Sequence, residues 1–481
     1  MANNVVRLNT GRTTQQLHAR ILTQQRQAFR RNPWPNLNER LDHLQRLKRA
    51  LLSNQDSLTE AIDRDFGCRS PDETRLAELM PCLQNIRYTM AHLAQWLRPD
   101  SRHVALRYLP ASNRVVYQPL GVVGIIVPWN YPLLLAIGPL VAALAAGNRV
   151  MLKVSEFTPH TAVLLKSILE NTFSRDQVAI INGDESVAAD FAAQPFDHLL
   201  FTGSTAVGRK VMKAAAQNLT PVTLELGGKS PAIIGNNAPM KDAAERIIFG
   251  KSLNAGQTCV SPDYLLCPAD RIPAFIEAAR DCFNRLYPSL QDNPDYTAII
   301  NTRHYRRLQG LLDDALAKGA RVTCLNPAQE LLPCRGRKIP LSLVTHLSGD
   351  MRLLHEEIFG PILPIIPHCG LQNAMDYINA QPTPLALYYL GYDRAEQEQV
   401  IAGTRSGSVG INDTLMQVLQ DDLPFGGMGE SGMGHYHGHE GFLTFSTCRG
   451  VHSRQRINNN RVMYPPYGSL LQKVVYQMFL R

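Results

Sequence analysis

A long run of apolar positions near the middle of the first half predicts the core of the fold. Between Arg114 and Arg149 the chain has no charged residue. Pro128, Pro132 and Pro139 interrupt this run, so it does not form a membrane-spanning helix. The pattern instead predicts a buried strand over Gly121–Val127, a buried helix over Leu133–Ala146 and a strand over Arg149–Val154. A strand, a helix and a strand that are all apolar are typical of a parallel sheet covered on both faces.

The same alternation continues further along the chain. The pattern predicts a helix over Thr161–Thr172 and strands over Val178–Ile181 and His198–Phe201. Residues 251–345 alternate in the same way. We therefore expect an α/β protein with a doubly wound domain followed by a second α/β domain.

Patterns near the two ends predict helices and a small β element. Apolar residues recur at helical spacing from Leu17 to Leu51, and a heptad-like repeat predicts one long helix over residues 71–98. Residues 102–118 resemble a hairpin that turns at Ala111-Ser112-Asn113. Residues Phe442–Cys448 are predicted to form a late strand.

Composition and charge narrow the class of protein. With 481 residues, 44% hydrophobic and 19% charged, the chain is neither disordered nor a disulfide scaffold. The net charge of +8 arises at the two ends, since no acidic residue precedes Glu39 or follows Glu440. A nucleic-acid or membrane-surface patch is one interpretation, and two solvated basic faces are the favoured one.

The N-terminus and the cysteines indicate a cytoplasmic protein. The Arg-rich start resembles a transit peptide, but its helical apolar spacing favours a folded helix, and no signal-peptide core lies near Met1. The nine cysteines are an odd number with no CxxC pair, which suits reduced thiols. The apolar window Leu470–Leu480 is too short to span a bilayer.

Several residues that follow predicted strands are candidates for binding a dinucleotide. The segment FTGSTAVG, with Gly203, Ser204 and Gly208, opens a predicted helix whose N-terminus favours a phosphate. Its spacing is looser than GxGxxG, so a plain strand–helix turn is an equal alternative. Lys153 and Glu156 could bind ribose hydroxyls, or they could form a surface ion pair.

Three residues are candidates for covalent catalysis. Cys259, in NAGQTCVSPDY, is a possible nucleophile, although a lone cysteine is more often an inert buried residue. Glu225, in VTLELGGKS, is either a satisfied buried acid or a general base. Asn130 follows Trp129 after a strand and could stabilise an oxyanion, or it could serve the turn alone.

Two further groups of residues each allow both a functional and a purely structural interpretation. In HEEIFGP, Glu357 and Phe359 could hold a ribose and contact a nicotinamide ring, or they could lie in a solvated turn. His435, His437 and His439 would share one face of a strand, but their Gly-rich surroundings make a metal site improbable.

Taken together and in order, these motifs resemble the aldehyde dehydrogenase superfamily. The resemblance rests on Trp129-Asn130, Lys153 with Glu156, GSTAVG, LELGGKS, GQTC and EEIFGP, and it spans about residues 15–466. PWNYP, PFGGMGESGMG and YHGHEGFLTFS resemble the class-three branch of that superfamily. The segment from Val127 to Ala162 is most similar to bacterial coniferyl aldehyde dehydrogenases.

The resemblance implies a three-part architecture. It comprises a Rossmann-like NAD(P)-binding domain, an α/β catalytic domain and a small β bridging element that extends the sheet of a second copy in a homodimer. On this basis, the cofactor domain comprises residues 1–101 and 119–226, and the catalytic domain residues 227–434. Residues 102–118 and 435–455 form the bridging element, and residues 456–481 form a tail.

The resemblance also implies roles for the candidate residues. Cys259 is the nucleophile, Asn130 an oxyanion donor and Glu225 the base that activates water. The cofactor residues are Trp129, Lys153, Glu156, Gly203, Ser204, Gly208, Glu357 and Phe359. Because Glu156 would repel a 2′-phosphate, NAD is expected as cofactor, with NADP possible. No metal, nucleic acid or stable membrane insertion is expected.

The sequence leaves alternatives for the substrate and for the class of reaction. The resemblance implies oxidation of a coniferyl-type aromatic aldehyde to an acid, with medium-chain aliphatic aldehydes as the second choice. A CoA-acylating enzyme would not need Glu225 as a base. A cysteine hydrolase that pairs Cys259 with a C-terminal histidine would leave GSTAVG, Lys153 and EEIFGP unexplained. The intact set of Cys259, Glu225 and Asn130 argues against a non-catalytic protein that keeps the fold.

Overall fold

The computed structural model describes residues 2–454, 456 and 458–480, and the side chains of residues 15–106, 108–454, 456, 458 and 460–480. The ends of the predicted bridging segment and tail, residues 455 and 481, lie outside the described residues. Sixteen strands are present in the described part: β1 Asp100–Arg102, β2 Ala111–Pro119, β3 Val122–Ile126, β4 Arg149–Lys153, β5 Val178–Ile181, β6 His198–Gly203, β7 Val222–Leu226, β8 Pro231–Ile234, β9 Tyr264–Pro268, β10 Arg321–Leu325, β11 Leu341–Thr345, β12 Ile362–His368, β13 Ala386–Leu390, β14 Ser408–Ile411, β15 Gly432–Met433 and β16 Ser446–Arg454.

The described residues also form sixteen α-helices. They are α1 Ala2–Arg31, α2 Leu37–Ser53, α3 Gln55–Phe66, α4 Pro71–Thr74, α5 Met80–Trp96, α6 Leu134–Ala146, α7 Pro159–Thr172, α8 Glu185–Ala192, α9 Thr205–Ala216, α10 Met240–Ser252, α11 Ile272–Leu286, α12 Thr302–Ala317, α13 Leu371–Asn379, α14 Arg394–Gly403, α15 Gly438–Thr444 and α16 Leu470–Phe479. None of the described helices combines the length and apolar character that crossing a bilayer requires.

The first sheet is doubly wound. Its strand order is β15-β7-β6-β3-β4-β5, and every pair is parallel except β15 with β7. The chain runs outward from β3 through β4 to β5 and then returns to β6 on the other side of β3. This reversal leaves a crevice beyond the carboxyl ends of β3 and β6, where α/β proteins bind ligands. The prediction of an α/β fold with a doubly wound domain is confirmed.

A second, seven-stranded sheet is built from residues 231–411. Its order is β10-β11-β12-β9-β8-β13-β14, with only β10 and β11 antiparallel. A third sheet contains β1, β2 and β16. Two strands cross the predicted limits: β1 begins at Asp100, within the predicted cofactor segment, but pairs with β2, and β15 comes from the predicted catalytic segment but pairs with β7. The domain boundaries themselves stay a prediction.

The buried helix α6 illustrates how the apolar run folds. Its residues from Leu135 to Ala146 are almost all buried, except Gly138, because helices and sheet surround it on every side. Gly147, at φ +92°, ends the helix in the left-handed conformation that glycine adopts without strain. The predictions of the strand, helix and strand in this region are confirmed to within about two residues, the usual uncertainty of element ends.

The predicted long helix over residues 71–98 contains a change of pitch. Between α4 and α5, residues Arg75–Leu79 form a π turn, which inserts an extra residue into the helix. The heptad pattern placed Leu76 on the buried face, but its side chain is 60% exposed, whereas Leu83 and Leu93 after the π turn are buried. The insertion rotates the preceding turn relative to α5.

Two predictions for the small sheet are wrong in detail. Ala111-Ser112-Asn113 is not a turn but the beginning of β2, and the chain reverses over residues 103–110 instead. Phe442 to Thr444 belong to α15, and the late strand begins only at Ser446. Phe442 is fully buried against Trp96 and Tyr117, so packing of one helical face decides its conformation.

Candidate active site

Cys259 lies at the end of an apolar pocket, in the loop between α10 and β9. Its thiol is partly buried, and the backbone N–H groups of Cys259 and Val260 donate to it. Burial raises the pKa of the thiol to about 12, and the charges of Glu357 and Glu225 add to the shift. In the ligand-free protein the group is therefore a neutral thiol at neutral pH.

Asn130 is held close to Cys259 by the backbone. Its side-chain amide donates to the carbonyl of Gln257 at 3.2 Å, and it is 3% exposed. The Asn130 carbonyl accepts from Arg69 Nη1 at 3.1 Å and from Asn254 Nδ2 at 3.0 Å. An amide has two N–H groups, so one remains available for an oxygen that develops negative charge.

Glu225 is a buried acid with no hydrogen-bond partner. It lies at the end of β7 with 2% exposure, and neither carboxylate oxygen has a hydrogen bond among the described residues. Burial raises the pKa of Glu225 well above its ordinary value. A protonatable group without protein partners next to a thiol is suited to exchange protons with water or substrate.

Glu357 lies over the glycine pair that follows Glu225. A Cβ atom on Gly227 would collide with the Glu357 carboxylate, so any other residue at this position would force that carboxylate to move. Burial and the charge of Asp263 raise the pKa of Glu357 to about 7, although the N–H of Gly228 and the charge of Lys229 act in the opposite direction. The group is thus close to its midpoint of ionisation at neutral pH.

A buried ion pair anchors the loop that carries Glu357. Lys229 Nζ pairs with Asp263 and donates to the carbonyls of Leu353 at 2.9 Å and Glu356 at 3.1 Å. Asp263 in turn accepts from the N–H of Ile358 at 2.8 Å. Our sequence reasoning missed both charged residues, although each lies inside a quoted motif, directly beside a buried strand. A charged residue so close to a buried strand was the signal in the sequence that could have identified them, because a charge that is removed from water needs a partner.

A second missed network lies behind Asn130. Arg69 is fully buried and pairs with Glu78 at 3.0 Å and with Glu73 at 3.4 Å. Glu78 accepts from the N–H groups of Leu133 at 2.8 Å and Leu134 at 3.1 Å, at the start of α6. The π turn places Glu78 here, so the change of helical pitch supports the loop that presents Asn130.

Aromatic rings line the crevice beyond β3. The Trp129 ring lies 5.3 Å from Phe359, edge to face, and 5.0 Å from the His304 ring. Phe359 has a φ of +49°, a left-handed conformation that is rare for a residue with a side chain. Burial lowers the pKa of His304 to about 4, so this wall is uncharged.

The polar candidates lie at the carboxyl ends of the neighbouring strands. Lys153 ends β4, is 2% exposed and lies 3.5 Å from the carboxylate of the more exposed Glu156. Ser204 precedes α9, and its side chain makes no capping hydrogen bond. The first turn of α9 therefore offers N–H groups to an anion. Charge, an open helix N-terminus and aromatic walls together fit a dinucleotide with a nicotinamide ring.

The glycines of GSTAVG serve packing as well. A Cβ atom on Gly208 would approach Leu226 to 2.6 Å, so glycine lets α9 pack closely on β7. A Cβ atom on Gly203 would lie 2.5 Å from the Phe201 ring. Close contact between helix and strand is one of the uses of glycine at such turns.

The pocket that leads to Cys259 is apolar. Tyr131 and Thr258 are its hydroxyl-bearing residues, and their hydroxyls bond each other at 2.9 Å. The remaining lining residues are mainly aliphatic: Ala77, Leu134, Leu135, Leu253, Val260, Leu415, Met416, Val418, Leu419 and Phe425. The pocket is suited to a hydrophobic substrate whose reactive group lies next to Cys259.

The three C-terminal histidines do not come together. His437 stacks on Phe425 with ring centres 5.2 Å apart, and His439 lies 5.7 Å from Trp96. Among the described residues, no group of three or more His, Cys, Asp or Glu side chains is placed to hold a metal ion.

Known proteins are similar to this chain over nearly its whole length. The model of the aldehyde dehydrogenase family matches residues 3–451. A probable coniferyl aldehyde dehydrogenase of Pseudomonas aeruginosa is 56% identical over 96% of both chains. A coniferyl aldehyde dehydrogenase of Pseudomonas sp. strain HR199 is 47% identical over 91% of both.

Solved structures agree with this assignment. The substrate-bound AldH of Staphylococcus aureus is 35% identical with a TM-score of 0.90, covering 96% of this chain and 99% of its own. A betaine aldehyde dehydrogenase of the same organism in complex with NAD+ is 25% identical with a TM-score of 0.83, covering 94% and 90%. These likenesses support a nicotinamide cofactor. Together with the matched family model, they confirm the resemblance read from the motifs: the chain belongs to the aldehyde dehydrogenase family.

Proposed function

We propose that this enzyme oxidises an aromatic, coniferyl-type aldehyde to the carboxylic acid through a covalent bond to Cys259. The observation that carries the proposal is that Cys259 lines the apolar pocket and lies near two carboxyl groups, the buried Glu225 and the half-buried Glu357. A nucleophile, a candidate base and an apolar site therefore meet at one point.

Cys259 begins the reaction by attacking the carbonyl carbon. The S–C bond forms, the thiol proton leaves to water or to a buried carboxylate, and the carbonyl oxygen becomes an oxyanion. The free N–H of the Asn130 amide and the N–H of Cys259 stabilise this oxygen. The thiolate is the attacking species, so substrate binding must offset the burial that keeps the ligand-free thiol protonated.

A bound nicotinamide would supply the acceptor for the hydride that leaves the carbon attached to sulfur. Trp129 and Phe359 would contact its ring, Glu357 and Lys153 would bind ribose hydroxyls, and Ser204 with the start of α9 would hold the pyrophosphate. Because Glu156 adds negative charge beside Lys153, we propose NAD as the preferred cofactor. A 2′-phosphate would meet an anion there.

Glu225 completes the reaction by activating water. Once the thioester has formed, the Glu225 carboxylate takes a proton from water, whose oxygen bonds to the acyl carbon while the C–S bond breaks. Its raised pKa makes it a strong base once ionised, and its lack of protein hydrogen bonds leaves both oxygens for water.

The aromatic preference is supported by the pocket and by the relatives. An aliphatic and aromatic lining binds a flat hydrophobic ring without leaving polar groups unpaired. Two relatives named for coniferyl aldehyde are 56% and 47% identical.

The test is kcat/KM over aromatic and medium-chain aliphatic aldehydes, with NAD and with NADP, in the absence of CoA. We expect the cinnamyl aldehydes and NAD to have the highest values and a free acid as product. Higher values for the aliphatic series would assign the enzyme to the second substrate class. An absolute requirement for CoA would overturn the hydrolytic step.

We further propose a homodimer in the cytoplasm, with the domain limits given above. Among the described strands β16 pairs only with β2, so its outer edge is open along nine residues. An edge of this length can extend the sheet of a second copy. The nine cysteines are all unpaired thiols, as a reducing compartment favours. Light scattering coupled to gel filtration tests the dimer.

A further inference from the structure

A second pocket adjoins the one that contains Cys259. Four residues line both pockets, namely Leu134 and Leu135 at the start of α6 and Val418 and Leu419 in the short helix after β14. The wall between them is therefore shared and apolar. The two pockets are therefore adjacent, and an elongated substrate bound at Cys259 would have to pass these four side chains to enter the second one.

The second pocket differs from the first because it contains a carboxylate. Asp421 lines it together with Asn85, whose amide donates to Asp421 Oδ1 at 2.9 Å. Both side chains are half-buried, and burial raises the pKa of Asp421. Asn85 lies on α5 and Asp421 on the loop after β14, so the hydrogen bond fixes the carboxylate from across the pocket.

A rigid aromatic aldehyde would place its two ends in the two pockets. With the carbonyl carbon at Cys259, a propenal chain and a ring lie along the aliphatic wall. The para position of the ring then points away from the sulfur. A hydroxyl there is a hydrogen-bond donor that needs an acceptor when it leaves water.

We propose that Asp421, oriented by Asn85, accepts the hydrogen bond of the para-hydroxyl of a phenolic aldehyde and so selects phenolic over unsubstituted substrates. This proposal rests on the proposed oxidation of aromatic aldehydes. Asp421 is a specificity residue and Asn85 a positioning residue, and neither takes part in the chemical steps at Cys259.

Asn85 and Tyr436 also carry acceptor atoms in this pocket, and so does His437. Burial lowers its pKa to about 4, so its ring is neutral, and it stacks on Phe425 with ring centres 5.2 Å apart. A carboxylate is the stronger acceptor, because a hydrogen bond to an ionised group is roughly twice as strong as one between neutral groups. We therefore assign the role to Asp421.

The experiment compares two aldehydes that differ by one hydroxyl, 4-hydroxycinnamaldehyde and cinnamaldehyde. Their ratio of kcat/KM is measured for the wild type and for the variants Asp421→Ala, Asp421→Asn and Asn85→Ala. Dividing each variant's ratio by that of the wild type removes the electronic effect of the hydroxyl on the carbonyl. Asp422→Asn is the matched control, since Asp422 is exposed and bonds to Tyr88 on the surface.

We expect Asp421→Ala to lower the ratio by about tenfold or more, mainly through KM, with kcat/KM for cinnamaldehyde changed by less than about threefold. Asp421→Asn and Asn85→Ala should give smaller losses, and Asp422→Asn none. An unchanged ratio in Asp421→Ala, or an equal loss for both aldehydes, would overturn the assignment. If the wild type oxidised neither aldehyde, the proposed aromatic function itself would fail.

Discussion

Arg69 donates a hydrogen bond of 3.1 Å to the backbone carbonyl of Asn130, although the two residues lie on different elements. The same guanidinium pairs with Glu78, which caps the start of α6. One buried cation therefore fixes both the loop that carries the candidate oxyanion donor and the helix that follows it.

Replacing Arg69 by Met should destabilise the fold by about 3–5 kcal/mol, because Glu73 and Glu78 would be left buried without a cation. Urea unfolding measures this loss. The control is Arg64→Met, which removes an exposed pair with Glu60 and should change the free energy of unfolding by less than about 1 kcal/mol. Equal effects of the two changes would contradict the role of Arg69.

Replacing Glu357 by Gln should make Cys259 more reactive in the ligand-free enzyme. Glu357 raises the pKa of the thiol, so removing its charge lowers that pKa and increases the thiolate fraction at a given pH. We expect iodoacetamide to react at least about threefold faster, measured above the Glu357 pKa of about 7, where the wild-type group is charged.

Glu356→Gln is the matched control for this experiment, since that neighbouring carboxylate is exposed and paired with Arg352. In the wild type the alkylation rate should rise about tenfold per pH unit, because the pKa of about 12 lies above the measured range. A rate independent of pH would show that the thiol is already ionised.

Replacing Glu225 by Gln should block release of the acid without blocking the earlier steps. We expect a burst of about one equivalent of reduced nicotinamide per subunit, followed by slow turnover. In the wild type the hydrolytic step should accelerate as pH rises, since the raised pKa keeps Glu225 protonated at low pH. Stopped-flow absorbance measures both effects, and a variant with a wild-type steady state would exclude Glu225 as the base.

Replacing Glu156 by Gln should move the cofactor preference towards NADP. The change removes the negative charge 3.5 Å from Lys153 Nζ and leaves that cation to attract a 2′-phosphate. We expect the ratio of kcat/KM for NADP to that for NAD to rise by roughly tenfold, or about 1.4 kcal/mol. Glu170→Gln, at an exposed pair with Lys166, should leave the ratio unchanged.

Much of the fold follows directly from local patterns. The strands β3 and β4 and the helix α6 are continuous apolar runs with clear breaks, so their limits were predictable to about two residues. The turn of the hairpin near Ala111 was not predictable from local patterns. All nine residues of β2 pair with β16, which lies over 300 positions later in the chain. Strand limits set by a distant partner leave little local signal.

The sequence by itself determined the family, the α/β class and the identity of the candidate residues, because ordered motifs and apolar runs are written in consecutive residues. Tertiary structure alone decided which polar groups meet: Arg69 pairs with Glu78, Lys229 pairs with Asp263, and the neutral amide of Asn85 donates to Asp421. The physical reason is burial. A charge removed from water must be paired, and its partner is chosen by the packing of elements far apart in the chain.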